Sequence, residues 1–167
     1  MPVSLNFRQQ AYAQETGIVV ICLMTITHPD IEVPIRISTD PTQRLSANDT
    51  EVIYGTISRS NEYYFYPMAL KLPDETEDGP QNMTIEIDNV HRDLIATIRS
   101  ITGPPLITTE MVLSNDLDTV EASWPDFMMT KISYDAMQIS ATLVMELLER
   151  EPFPAGSFTP THFPGLF

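Results

Sequence analysis

The residues of this chain that could do chemistry are few and scattered. His28 follows an apolar run and leads into Pro29-Asp30, where an acid-base or metal role is conceivable; a turn histidine bonded to backbone is the favoured reading. His91 lies between Asp88 and Asp93 and could join them in a carboxylate–histidine cluster. A solvated first helical turn explains the same residues, because acids are stabilised near a helix N-terminus. Asn115-Asp116-Leu117-Asp118 opens like a calcium loop but lacks the glycine and closing glutamate of that motif, so a β-turn fits better. Tyr63-Tyr-Phe-Tyr66 could form a sugar-binding platform, although a stripe that is half core and half interface is the favoured account. Cys22, the only cysteine, sits inside Ile18-Val-Val-Ile-Cys-Leu-Met24 and reads as a small buried hydrophobe. No Gly-rich phosphate loop, nucleophile elbow or zinc-binding helix appears. The expectation is a protein without catalytic residues, metal or cofactor.

Composition narrows the field further. Nine basic against 23 acidic residues give a formal charge of −14, which repels nucleic acid rather than binding it. A chain of 167 residues suits one well-buried core, with residues 1–150 as a β-rich domain and 151–167 as an extended segment. The start, Met-Pro-Val-Ser-Leu-Asn-Phe-Arg, has none of the features of a signal peptide, and no apolar run reaches membrane-spanning length. A soluble protein made in a cytoplasm, without membrane insertion, is therefore expected.

The element expected to organise the chain is Met83 to Pro105. Met83, Ile85 and Ile87 alternate with Thr84, Glu86 and Asp88, as in a strand with one buried face. Asn89 can cap a helix of about 90–101 whose stripe is Val90, Leu94, Ile98 and Ile101, and Gly103-Pro104-Pro105 ends it. This strand and helix are expected to divide two β-rich halves. A short helix is predicted from Ser4, its cap, to about Gln14. Ile18 to Thr27 reads as a central strand covered on both faces, and Ile31 to Ile37 as its return strand, placed towards an edge by Pro34. Residues 39–62 read as a loop-dominated excursion with weak strand patches at Val52 to Ile57. Tyr63 to Leu72 reads as one long strand near an edge, with Tyr64, Tyr66, Met68, Leu70 and Leu72 on one face. Leu106–Leu113, Thr119–Trp124, Phe127–Tyr134 and Met137 to about Leu148 follow as a meander, the last with a rival helical reading from Ala141 to Glu149.

Two stretches are candidates for contact. The loop 73–82 carries Asp74, Glu75, Glu77 and Asp78 beside Gly79-Pro80, an exposed acidic segment. The segment 151–167 has four prolines and four phenylalanines, too many breakers for a helix or interior strand and too many aromatics for a solvated tail. It reads as an arm whose anchors, Phe153, Phe158, Phe163, Leu166 and Phe167, form a subunit interface. Docking on a neighbour is favoured over packing on its own domain, because the anchors lie at the chain terminus.

The order of these signals resembles a bacteriophage tail-protein family known as a domain of unknown function, encoded among the tail-tip genes of long-tailed, non-contractile phages and related prophages. The likeness is carried by Phe7 to Gln14 with Thr16-Gly17, by His28-Pro29-Asp30 with Pro34-Ile35-Arg36, by Ile87-Asp-Asn-Val-His-Arg92, and above all by Glu151 to Phe167. It spans essentially the whole chain, and it supplies no catalytic residue. The resemblance implies a distal-tail or minor tail protein in the virion, a mainly β (α+β) chain with a tail-tube-like sandwich or barrel and one flanking helix. It further implies a homo-oligomeric ring, hexameric by preference and trimeric second, between the tube protein and the hub and tip proteins. DNA would pass through without specific binding, past acids such as Asp74, Glu75, Glu77 and Asp78, with Asp116 and Asp118 as further candidates. The alternative is a carbohydrate- or receptor-binding β-sandwich module of the tail that uses the tyrosine stripe.

Overall fold

A computed structural model of the chain describes residues 3–47, 51–72, 82–88, 101–135 and 138–145, the side chain of Tyr134 excepted. The elements are α1 (Leu5–Ala11), β1 (Val20–Thr27), β2 (Ile35–Ser38), β3 (Gln43–Ala47), β4 (Val52–Ser58), β5 (Asn61–Phe65), β6 (Met68–Lys71), β7 (Asn82–Asp88), β8 (Leu106–Leu113), β9 (Asp116–Tyr134) and β10 (Gln138–Met145). The chain is mainly β, and the ten strands form one mixed sheet in the order β3-β4-β5-β2-β1-β8-β9-β10-β7-β6. All neighbours are antiparallel except β2 and β5, which run parallel.

β1 explains why the sheet holds together. Its side chains alternate between two clusters: Met24 and Ile26 enter the larger one, Ile21 and Leu23 the smaller. It is thus the strand covered on both faces that its unbroken apolar run predicts. The larger cluster adds Ile37 from β2, Ile107 from β8, Phe127 and Met129 from β9, Ile139, Ala141 and Leu143 from β10, and Met83, Ile85 and Ile87 from β7. β2 and β7 stand five places apart in the sheet yet share one core, so the sheet must curl, as a right-handed twist accumulated over many strands permits. In β7 the alternation is complete: Met83, Ile85 and Ile87 are buried and the residues between them exposed. β10 matches it in register, with the small Ala141 opposite Ile85.

Several expectations from sequence are corrected. The return strand begins at Ile35, not Ile31, because residues 28–34 form a turn closed by the Ile31 N–H to the His28 carbonyl (3.0 Å). Pro34 precedes the ladder, so it does not push β2 to an edge; β2 lies between β1 and β5. The excursion 39–62 is largely strand. β3 and β4 pair, and a two-residue turn at Arg59-Ser60 leads into β5. Both turn residues have positive φ (49° and 64°), the geometry that matches strand twist and that Asn-Gly usually supplies. Here tertiary contacts stabilise it: the Ser58 hydroxyl donates to the Leu117 carbonyl (2.6 Å), the Arg59 N–H donates to Asp118, and the Arg59 guanidinium grips both carboxylate oxygens of Glu110. At Gly55 a Cβ would collide with the Tyr63 carbonyl and the Leu45 side chain, so the β4–β5 approach requires glycine.

The long strand expected at 63–72 is broken at Tyr66-Pro67. Tyr66 N–H still bonds the Ser38 carbonyl (3.0 Å), extending β5 along β2, whereas the Pro67 carbonyl accepts the Asp88 N–H (2.9 Å), starting β6 along β7. The two strands expected at 119–134 are one strand, β9, which pairs with β8 through its first part and β10 through its second. Register shifts in both ladders and positive φ at Asp126 (59°) and Lys131 (49°) bend it enough to do so. β10 is a strand through Met145, which decides against the helical reading over the described part. β7 pairs with β10, so Met83–Asp88 joins the early and late parts of the chain rather than dividing them. The helix at about 90–101 lies outside the described residues except for Ile101, which is not helical. Gly103, expected as its terminator, has φ 108°.

Candidate interaction surface

The aromatic stripe divides by face, as alternation in a strand requires. Tyr63 is 3% exposed and belongs to the smaller cluster, while Tyr64 is 42% exposed on the opposite face, beside Ile37. Tyr66, past the strand, packs against the larger cluster. The β4–β5 ladder ends at Gly55 and Tyr64; beyond it Val52 and Ile53 pair with β3 while Phe65 follows β2. Where β4 and β5 part, a groove of about 280 Å³ opens, lined by Glu51, Val52, Ile53, Tyr54, Tyr64, Phe65 and Tyr66. Val52, Tyr54 and Ile57 on β4 are 44–47% exposed; the pairing of Gly55 with Tyr64 puts Ile57 on the face of Tyr64, and Val52 and Tyr54 on the opposite face. On the other side of Tyr64 a second groove is lined by Val33, Pro34, Arg36 and Glu62 among others. Scattered exposed apolar residues need no explanation, but four of them on one hairpin leave both its faces suited to contact.

The other candidates are accounted for by structure. His28 accepts the Asp30 N–H at Nδ1 (3.1 Å), the turn role expected of it. That bond uses the lone pair of the neutral ring, so the 3.5 Å approach of the Asp30 carboxylate to the same atom is not an ion pair in that state. Asp30 in turn accepts the Thr102 N–H (3.1 Å), joining the turn to the segment before β8. Asp116 begins β9 after the Ser114-Asn115 turn and accepts the N–H groups of Asp118 and Thr119 (3.3 Å each). The Thr119 hydroxyl foremost, then these N–H groups, hold its carboxyl below the usual range, and Asp118 is occupied by Arg59. Of the calcium-loop residues, Asn115 lies in the turn and Asp116 to Asp118 open β9. Among the described residues no group of three or more His, Cys, Asp or Glu is placed to hold a metal ion. No described helix is long and apolar enough to cross a membrane.

One polar site had no obvious signal in the sequence. Glu121 on β9 is 5% exposed, and both its oxygens are taken by Ser4, from the backbone N–H (2.8 Å) and the hydroxyl (2.7 Å). The same hydroxyl accepts the Phe7 N–H (3.0 Å), so Ser4 caps α1 and ties it to the sheet. α1 ends at Ala11 rather than Gln14 and has no buried residue, which makes this tie its main polar anchor. Ser4 was legible as a cap; its partner, 117 residues away, was not.

A family described as a domain of unknown function, DUF1833, matches residues 6–158. The chain belongs to that family. No curated protein matches it. The DUF1833 match takes in all ten described strands and runs on as far as Phe158. Of the contact residues expected from sequence, the arm anchors Phe153, Phe158, Phe163, Leu166 and Phe167, the acids Asp74, Glu75, Glu77 and Asp78, and His91 with Asp93 all lie outside the described residues. Asp88, the remaining member of that cluster, ends β7 and is exposed.

Proposed function

We propose that this DUF1833 chain is a non-enzymatic structural subunit of a bacteriophage tail tip, a ring-forming distal tail protein that joins the tail tube to the hub. The observation that carries the reading is the set of large apolar side chains left exposed on the two faces of the β4–β5 hairpin, Val52, Tyr54, Ile57 and Tyr64. They offer protein-binding surface on a chain otherwise strongly acidic. The resemblance of the whole chain to tail-tip proteins supplies the assembly. A curled sheet whose strands share one core is also the raw material of a tube-like sandwich or barrel. The ring would be six-fold by preference and three-fold second, built from head-to-tail contacts in the host cytoplasm and carried in the virion. A net charge of −14 suits a passage through which DNA slides without being held.

Native mass spectrometry of the purified protein and electron microscopy of the virion test this. A ring of six or three copies at the end of the tail tube is expected; a persistent monomer that is absent from virions overturns it. A second reading is favoured by one feature, the placing of Tyr54 and Tyr64 at a groove that also holds Glu51, as in aromatic carbohydrate sites. Glycan-array binding that disappears in Tyr64→Ala would establish it in place of the first.

A further inference from the structure

The groove between β4 and β5 is open, aromatic and shallow for a small-molecule site: its volume of about 280 Å³ falls just below the roughly 300–1,000 Å³ of ligand pockets. It has room to anchor individual side chains of an extended peptide. Aromatic-lined grooves of this kind bind proline-rich segments, whose extended backbone is already ordered and whose rings stack on the aromatic walls. The chain contains one segment of matching chemistry. Residues 152–167 hold four prolines and four phenylalanines and are the longest run in the sequence without Asp, Glu, Lys or Arg.

We propose that the groove lined by Tyr54, Tyr64 and Phe65 receives the segment 151–167 of a neighbouring copy. Two arguments favour another copy as the partner. At roughly 3.1 Å per residue a 17-residue segment can reach about 50 Å, past the diameter of about 40 Å expected for a 150-residue body and so onto a neighbour. And copies that each carry −14 charges repel one another, so a contact between them is best made by a segment whose residues 152–167 carry no Asp, Glu, Lys or Arg, on a surface rich in aromatic side chains. Phe158 and Phe163, with the prolines beside them, would supply the side chains that enter the groove.

The inference rests on the ring-forming reading, and the experiment separates the two. Full-length protein carrying a photoreactive benzophenone side chain in place of Val52, at the groove rim, is prepared in light and heavy nitrogen, mixed under assembling conditions and irradiated. Cross-links from position 52 to residues 151–167 that join light to heavy chains are expected. Cross-links confined to one isotope mean that the arm packs on its own domain and overturn the proposal. An oligomer whose position 52 is cross-linked elsewhere overturns it while leaving the ring intact. A monomer at every concentration removes ring and docking together. As a second measurement, Tyr54→Ala/Tyr64→Ala and Phe158→Ala/Phe163→Ala should each weaken oligomerisation at least tenfold with unchanged circular dichroism. If folded variants assemble as tightly as the parent, the groove is not the receptor.

Discussion

At the scale of single residues, Cys22 and Thr109 show what burial does to polar groups. Burial pushes the Cys22 thiol up to about 11, because the thiolate would lose its hydration. In the unfolded chain the thiol ionises near 9.0, so between about pH 9 and 11 the unfolded state loses its proton first. The stability present below pH 9 therefore falls across that window, by about 3 kcal/mol in all. Urea midpoints of the parent should drop more steeply from pH 8 to 10.5 than those of Cys22→Ala. Thr109 poses the opposite case: its hydroxyl is buried without a hydrogen-bond partner among the described residues. Thr109→Val removes that unpaired group at little change of shape and should stabilise the fold by about 1 kcal/mol, read as a higher urea midpoint. Neither residue advertises this in sequence. Cys22 is legible as buried because its whole neighbourhood is apolar, whereas Thr109 sits in an alternating strand where a threonine is equally at home facing water.

At the scale of elements, local patterning was sufficient wherever a strand had one wet face or none. β1, β7, β8 and β10 are found close to where alternation or an apolar run places them. It failed at β3, a short polar strand that draws its stability from its neighbour β4 rather than from its own residues, and it showed β4 only as weak patches at Val52 to Ile57. It also failed at Pro67, where a single proline lets the chain leave β2 and join β7 without any change in apolar periodicity. α1 depends on one distant contact. Ser4→Ala removes both its cap and a charge-assisted bond to Glu121, and should cost about 2 kcal/mol locally. Hydrogen exchange should then quicken at residues 7–11 while the amides of β1 and β8 keep their protection; uniform loss across the sheet would show that the tie supports the whole fold.

At the scale of the whole molecule, the net charge of −14 opposes the approach of one copy to another. Copies carrying −14 each repel over about 30 Å in 10 mM salt but only about 8 Å at physiological ionic strength. Assembly by apolar contact should therefore strengthen as sodium chloride rises from 10 to 150 mM at constant protein concentration, as measured by sedimentation velocity. Association that weakens with salt would point to interfacial ion pairs instead.

The sequence by itself determined the mainly β class, the buried faces of β1 and β7, the turn roles of His28 and Asn115, the cap at Ser4 and the acidity that disfavours phosphate. These follow from short-range periodicity and composition, which are written into neighbouring residues. Only the tertiary structure decided that β2 is interior, that β5 runs parallel to it, that β7 pairs with β10, that Glu121 receives Ser4, and that Tyr63 is core while Tyr64 lines a groove. Each depends on which strands meet after the sheet curls. Pairing partners are chosen by fit across tens of residues, and no local pattern records that choice.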